Sequence, residues 1–343
     1  MRIEAAKVKI SLLPVDPFVL SSLIETAKLC RTHYSTAISG NTLKFFEIKD
    51  IIHSQEHFPG KEQDEHAVKG YFAALTQLEQ YVSQVHPLTE RVIQNLHALV
   101  LSNGLKSIQK TPYRSTQNVI KDRDTEEILY IPPEANFVPI MMRNLISWIK
   151  KNEEAPCPIV AAIFHYNFSK ISPYYNGNGR TNRLLTTFIL YLGGYDLKGL
   201  YSLEEYYLKN LDAYYRALSS PTYPSFNPKK MRIALTSWIE YFIEGVAFEF
   251  EKVETQLAKL FRKVEDPLFR KLDPRQRKIL ELFKEYRILA VYQIKDLFGL
   301  KPRTISLICK KWVESGFLEV VDPSNKALRY RKYKLTAPYE GIV

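Results

Sequence analysis

The chain has 343 residues, of which 45% are hydrophobic and 25% charged, and its 22 tyrosines and 18 phenylalanines suffice for a sizeable core. This composition excludes wholesale disorder and fibrous repeats, and the length favours two or three globular domains. The formal net charge of +11 is concentrated at one end, because residues 270–343 carry +9 and residues 1–269 only +2. We therefore expect a near-neutral body followed by a basic appendage that binds a polyanion.

The cysteines Cys30, Cys157 and Cys309 are far apart and form no C-x-x-C pair. This spacing argues against a disulfide framework or a zinc site and fits a reducing compartment. No secretory signal follows Met1, and the longest strongly apolar stretch, residues 184–192, is too short to span a bilayer. These features predict a cytoplasmic protein without a membrane partner.

Most of the body has helical periodicity. The spacing of apolar residues predicts amphipathic helices over 21–39, 65–85, 89–101, 137–151, 158–170 and 231–264, and another after residue 180. Thr89 is the expected N-cap of the third helix. The prolines within 219–230 indicate an exposed loop.

The helical pattern is interrupted between residues 113 and 133. Residues 119–120 and 128–131 are typical of two short strands around a polar turn at 121–124. The body is therefore expected to be mostly α with one hairpin.

The most informative pattern is the run Ser172-Pro-Tyr-Tyr-Asn-Gly-Asn-Gly-Arg-Thr-Asn-Arg183, which lies between two predicted helices. Two glycines before a helix let backbone amides approach a phosphate, and a helix N-terminus favours negative charge. Asn178 can add an amide donor, and Arg180 and Arg183 lie one turn apart. The run is neither a Walker A loop nor a G-x-G-x-x-G turn after a strand. Spacing alone therefore leaves a helix-capping loop with two surface arginines as an equal alternative.

This run resembles the signature of the Fic family, H-P-F-x-[DE]-G-N-G-R-x-x-R, in the helix–loop–helix context that the signature needs. The resemblance covers about residues 5–250. Residues 35–42 resemble the family's inhibitory-helix motif, [ST]-x-x-x-E-[GN], and residues 113–133 resemble the hairpin that clamps a target segment, here called the flap. The resemblance implies a helical Fic-type domain whose nucleotide-binding residues are Gly177, Asn178, Gly179, Arg180 and Arg183.

The resemblance also implies a reaction. In active members the motif histidine takes a proton from a Ser, Thr or Tyr hydroxyl of a target protein, and that hydroxyl attacks the α-phosphate of ATP and receives AMP. The acidic residue of the motif holds Mg²⁺. A glutamate of the inhibitory helix pairs with the second motif arginine, which here is Arg183.

This sequence departs from the pattern at three functional positions, besides the mild change of the motif Phe to Tyr174, which keeps the ring. Ser172 stands at the histidine position, and a hydroxyl is not a useful base near pH 7. Asn176 stands at the acidic position, where a neutral amide is a weaker ligand for a hard cation than a carboxylate. Ser39 replaces the inhibitory glutamate, so the clamp on Arg183 is expected to be missing. We predict binding of ATP or another nucleotide with weak or absent transfer, while the need for Mg²⁺ stays open.

No other side chain is an obvious base. His165 is expected to be a hydrogen-bonded core histidine packed beside Phe168, and His97 also fits a core position. Tyr174 and Tyr175 are expected to line the nucleotide pocket, although Tyr175 fits packing equally well.

Three domains are expected: a helical part over 1–105, a core with flap and nucleotide loop over 106–265, and a basic domain over 266–343. In the last, the pattern predicts helices over 274–286, 292–298 and 303–315, then strands over 317–321 and 328–335. Three helices and a terminal hairpin resemble a winged helix-turn-helix. Its candidate DNA contacts lie on the third helix and in the hairpin: Arg303, Ser306, Lys310, Lys326, Arg329 and Arg331.

The predicted function is thus a nucleotide-binding, catalytically impaired Fic-type protein with a regulatory role on DNA. One alternative is an active protein adenylyltransferase in which a bound water or the substrate's own phosphate takes the proton. Another is a non-catalytic adaptor whose flap captures a peptide and whose basic domain recruits a second protein. A homodimer is an open option for its assembly.

Overall fold

The computed structural model describes residues 1–13, 15, 17–104, 110–121, 125–219, 228–265, 267–322 and 331–341. These residues form two compact units, Met1–Thr255 and Gln256–Val343. The predicted domain limit at 105/106 and the predicted turn of the flap at 122–124 lie outside the described residues. None of the helices in the described ranges has the length and apolar character needed to cross a membrane.

The first unit consists mainly of helices joined by short loops, as the sequence predicts. Its helices are α1 (Arg2–Leu12), α2 (Pro17–Ile38), α3 (Phe45–His53), α4 (Glu62–Ser83), α5 (Glu90–Leu101), α6 (Val138–Lys151), α7 (Cys157–Ile171), α8 (Asn178–Leu192), α9 (Leu203–Lys209), α10 (Leu211–Leu218) and α11 (Pro228–Glu265). Two 3₁₀ turns, Ala135–Phe137 and Leu197–Gly199, lie before α6 and α9.

Helix α8 occupies the centre of this unit. It packs along α7 and also contacts α2, α4 and α5. Every residue from Thr181 to Tyr191 is buried, as expected for a helix surrounded by others. Trp238 of α11 is fully buried and donates its indole N–H to the carbonyl of Ala162 in α7 at 2.8 Å. The nucleotide loop, residues 172–177, therefore joins two helices that are held from several sides.

The flap is a two-stranded antiparallel hairpin, β1 (Ile120–Lys121) and β2 (Ile128–Tyr130), with Ile120 opposite Tyr130. Strand β1 has the predicted length of two residues but begins one position later than predicted, and β2 ends one residue earlier. Ile128 and Leu129 are more than half exposed, so the hairpin presents apolar side chains to solvent.

The second unit has a core of its own. Its elements are α12 (Pro267–Lys271), α13 (Pro274–Glu285), β3 (Leu289–Ala290), α14 (Val291–Phe298), α15 (Pro302–Glu314), β4 (Leu318–Val320), β5 (Lys332–Leu335) and α16 (Ala337–Glu340). The strands form an antiparallel sheet in the order β3-β5-β4. Fully buried Ile279, Ile294 and Ile305 bring α13, α14 and α15 together under this sheet.

Candidate functional site

The C-terminus of α7 places Ser172 at the start of the nucleotide loop. Ser172 takes a left-handed conformation, φ 46° and ψ 64°, which is strained for a residue with a side chain. Its amide donates to the carbonyl of Phe168 at 2.9 Å, and the residue is only 3% exposed. The position at which the family resemblance expects an imidazole therefore holds a buried hydroxyl.

Asn178, the first residue of α8, closes the nucleotide loop. Its Oδ1 accepts from the amide of Tyr174 at 3.0 Å, and its Nδ2 donates to the carbonyl of Tyr174 at 2.6 Å. The sequence predicts that this side chain can add an amide donor for phosphate, and in the structure one of its two Nδ2 hydrogens is engaged by the loop backbone. The side chain of Asn178 therefore stabilises the conformation of the nucleotide loop.

His97 of α5 packs against the nucleotide loop. Its ring stacks on Tyr174 with centroids 3.5 Å apart and an angle of 7° between the planes. Its Nε2 lies 2.9 Å from the carbonyl of Asn176 and its Nδ1 2.5 Å from the hydroxyl of Thr111. A carbonyl can only accept, so Nε2 donates and Nδ1 accepts. Burial lowers the pKa of His97 to about 4, which keeps the ring neutral in this role.

The sequence predicted His97 to be a core residue, and it is buried. Its contact with a loop about 80 positions further on had no signal in spacing or periodicity. With Nε2 bonded to a backbone carbonyl, His97 is a support of the loop and is not free to accept a proton.

Gly177 and the first turn of α8 form a site for an anion. Gly177 has φ +74°, and a Cβ there would lie 3.0 Å from Cδ2 of Leu101 and 3.3 Å from Nε2 of His97, so the loop requires glycine. No side chain caps α8. The amides of its first turn are therefore left for a ligand, and the helix dipole favours a negative one.

Arg180 and Arg183 differ in how many hydrogen bonds hold their guanidinium groups. Arg180 is half-buried, with Nη1 3.4 Å from the carbonyl of Val100, and burial lowers its pKa. Arg183 is only 3% exposed and is tied to α2: Nε donates to Oγ of Ser35 at 2.9 Å, and Nη2 donates to the carbonyl of Ser35 at 2.6 Å and to Oγ of Ser39 at 2.9 Å.

The expected loss of the clamp on Arg183 is thus only partly correct. The carboxylate is absent at position 39, but Ser35 and Ser39 of the same segment still hold the guanidinium through neutral acceptors. Ser35 begins the motif found in the sequence, but its contact with Arg183 was not predicted, because only the fold shows that its side chain and carbonyl face the guanidinium.

His165 is fully buried, as expected. Its Nδ1 lies 2.9 Å from the hydroxyl of Thr186 and its Nε2 3.2 Å from that of Tyr214. Burial lowers its pKa well below the usual range. This histidine is part of the helical core and does not reach the nucleotide loop through either nitrogen.

The residues of the loop do not suit Mg²⁺. Residues 172–180 contain no carboxylate, and Asn176 offers an exposed neutral amide, whereas Mg²⁺ is usually held through one or two carboxylates. Within the described ranges, no group of three or more His, Cys, Asp or Glu side chains is placed to hold a metal ion.

Of the candidate DNA contacts, Arg303, Ser306 and Lys310 lie on α15 of the second unit. Arg303 and Lys310 are exposed on α15, where Lys310 pairs with Glu314 at 3.7 Å. Ser306 donates its hydroxyl to the carbonyl of Pro302 at 3.0 Å. Arg331, just before β5, is half-buried. Lys326 and Arg329 lie outside the described residues.

The sequence missed one further residue of this surface. Leu307 lies between Arg303 and Lys310 on α15 and is 58% exposed.

Residues 87–190 match the model of the Fic/DOC family. Among curated proteins, the chain is 29% identical over 198 residues to a protein named protein adenylyltransferase Fic from Nematostella vectensis, covering 57% of this chain and 44% of that protein. A protein of the same name from Drosophila grimshawi is 27% identical over 166 residues, covering 48% and 33%. The chain thus spans less than half the length of these curated relatives.

Solved structures show the same fold over more of the chain. A Fic family protein from Desulfovibrio desulfuricans G20 superposes with a TM-score of 0.62 and 20% identity, covering 98% of this chain and 96% of that one. A Fic domain containing signaling protein from Bacteroides thetaiotaomicron has a TM-score of 0.63 and 23% identity, covering 76% and 97%. At these identities the likeness concerns the fold alone.

Proposed function

Because residues 87–190 of this chain form a Fic domain, we propose that the nucleotide loop and the first turn of α8 bind the phosphates of ATP or a related nucleotide. The uncapped amides of α8 and the required glycine at 177 support this proposal. Arg180 and Arg183 supply the positive charge. Arg183 must exchange its contacts with Ser35 and Ser39 for a phosphate. Nucleotide binding therefore competes with these two hydrogen bonds.

Transfer of AMP to a protein is the activity that the names of the curated relatives carry. We propose that it is weak or absent here, and the observation that carries the proposal is the buried hydroxyl of Ser172. An attacking alcohol must lose its proton, and general-base catalysis contributes about 10²–10⁴ in rate. Neither His97 nor His165 supplies the missing base, since both are buried and hydrogen-bonded elsewhere.

Calorimetry with ATP and incubation with labelled ATP test this proposal together. We expect saturable binding that is lost in Arg180→Ala, and little label on any protein. The double variant Ser172→His with Asn176→Asp restores both the base and the carboxylate and should regain transfer. Strong transfer by the unaltered chain, abolished by Arg180→Ala, would instead favour an active adenylyltransferase with a substituted base. Absence of any ATP binding would leave the peptide adaptor as the better function.

A second function is proposed for the basic unit. We propose that it is a winged helix that places the protein on DNA, in keeping with a regulatory role. Support comes from α14 and α15, which are joined by a three-residue turn at 299–301, and from β4 and β5, which pair behind them. Exposed Arg303, Leu307 and Lys310 on α15 suit a major groove. A shift assay with duplex DNA tests this function, and binding should weaken steeply with salt.

A further inference from the structure

The short segment 114–116, which we call the flap entrance, precedes β1 of the flap and contacts the nucleotide loop. The hydroxyl oxygen of Tyr175, a residue of the loop, lies 3.0 Å from the amide of Ser115 and 3.0 Å from the amide of Thr116. The hydroxyls of Ser115 and Thr116 lie 3.2 Å and 2.9 Å from the same oxygen. Backbone amides only donate, so this oxygen is the shared acceptor for two consecutive residues of the flap entrance.

Arg114 fastens the same segment from the buried side. It is 2% exposed, and its guanidinium donates to the carbonyls of Ser172 at 3.0 Å, Thr116 at 3.2 Å and Pro133. Its amide donates to the carbonyl of Pro173 at 2.9 Å. A cation at the C-terminus of α7 is also favoured by the helix dipole. One side chain thus joins the loop to both ends of the flap.

Tyr175 is not placed there by burial of its ring. The residue is 50% exposed, so a phenylalanine could occupy the position without losing core contacts. The hydroxyl adds the two contacts with backbone amides. These contacts fix the distance between the start of the flap and the nucleotide loop. The side-chain Nδ2 of Asn118, which donates to the carbonyl of Tyr174 at 3.4 Å, extends the same connection towards β1.

We propose that Tyr175 is a positioning residue that couples the nucleotide loop to the flap, so that a change of the loop on nucleotide binding is transmitted through residues 114–116 to β1. The coupling, though not the positioning contact itself, rests on the nucleotide binding proposed above. Because coupling between two sites is reciprocal, a segment bound at the flap would also alter the affinity of the loop for nucleotide.

Hydrogen exchange of the full chain, followed by mass spectrometry, tests the contact without nucleotide. In Tyr175→Phe we expect exchange in peptides containing Ser115 and Thr116 to accelerate about five- to tenfold, as for loss of a single hydrogen bond. Tyr292→Phe, which alters an exposed tyrosine of the second unit, is the matched control and should leave these peptides unchanged. Unchanged exchange in Tyr175→Phe would overturn the proposal.

The same measurement with ATP tests the coupling. In the unaltered chain, ATP should slow exchange in residues 115–121 and 128–131. In Tyr175→Phe, ATP should bind by calorimetry while exchange in the flap no longer responds. An equal response in both proteins would refute the coupling. Failure of the unaltered chain to bind ATP would contradict both the proposed function and the coupling. The hydrogen-exchange experiment without nucleotide would still show whether Tyr175 positions residues 115 and 116.

Discussion

The contacts of Arg183 determine whether the proposed phosphate site is open before a nucleotide arrives. Ser39 offers the guanidinium a neutral hydroxyl at 2.9 Å, which a phosphate can displace. A glutamate at this position would compete with the phosphate as an anion. We expect Ser39→Glu to weaken ATP binding about tenfold or more, since a hydrogen bond to a charged group contributes about 1.5–3 kcal/mol. Calorimetry measures this, with Ser39→Ala as the control that should bind no more weakly than the unaltered chain.

Tyr175 provides a titration that can be followed by absorbance. Hydrogen bonds from Ser115 and Thr116 lower its pKa to about 8 from an ordinary value of 10. Between these values the folded chain has released a proton that the unfolded chain still holds. The additional stability that ionisation of this hydroxyl contributes is therefore full above pH 10 and is lost as the pH falls through 8, while the neutral hydroxyl still accepts from the two amides.

We expect the difference spectrum between the unaltered chain and Tyr175→Phe to show a phenolate band with a midpoint near pH 8. A midpoint at 10 or above would contradict the environment described for this hydroxyl. The same subtraction with Tyr292→Phe shows whether the early midpoint belongs to Tyr175 alone.

At the residue scale, the site could be predicted only where it is contiguous in sequence. The loop glycines and Arg180 follow from a local motif. Ser35 contacts Arg183 of α8, and His97 and Arg114 contact the loop itself, each from a position more than 50 residues away. No periodicity indicates which face of an amphipathic helix makes such a contact. Their roles follow from packing alone.

At the element scale, long periodic helices with capping signals were predictable. Thr89 caps α5 as expected, accepting from the amide of Val92 at 3.2 Å, and α7 differs from its predicted range by one residue at each end. Helix α1 was not predicted, because its local pattern is weak and it is held by distant partners. Arg2 pairs with Glu244 and Glu251 of α11, each at 2.7 Å. Short α3, α9 and α10, and the two-residue strand β3, likewise lack enough local pattern to be recognised.

The cap of α13 is a testable element of the second unit. Oδ1 of Asp273 accepts from the amides of Arg275 and Gln276 at 2.8 Å each, and the side chain of Gln276 accepts from the amide of Asp273 at 2.9 Å. Oδ2 of Asp273 also lies 3.4 Å from the indole nitrogen of Trp312 in α15. This residue therefore both starts α13 and links it to α15.

We expect Asp273→Ala to destabilise the second unit by about 1 kcal/mol, the usual cost of losing an N-cap. Denaturant unfolding monitored by Trp312 fluorescence, in a background where the other two tryptophans are phenylalanine, measures the change. Asp296→Ala removes an exposed carboxylate of α14 whose ion pair with Lys295 spans 3.8 Å, and it should shift the midpoint far less. Equal shifts would show that the cap adds nothing beyond a surface charge.

At the scale of the whole molecule, the location of the charge matters more than its sum. Net charge alone attracts any polyanion, whereas a helix that enters a groove needs its cations on one face. The 74 residues from 270 to 343 carry +9, and the remaining body carries +2. The proposed DNA contact therefore predicts that the same change in net charge weakens DNA binding when it is made on α15 but not when it is made on the body.

The double variant Arg303→Glu with Lys310→Glu lowers the net charge from +11 to +7. Lys49→Glu with Lys150→Glu, at two exposed positions of the body, lowers it equally. We expect the first pair to abolish a DNA shift at moderate salt and to reduce the salt slope by about two, one for each lost phosphate contact. The second pair should leave the DNA shift and the salt slope nearly unchanged. ATP binding should be unaffected in either variant, because neither pair touches the nucleotide loop. Equal loss of DNA binding in both variants would mean that the protein attracts DNA through its total charge and that α15 is not a recognition helix.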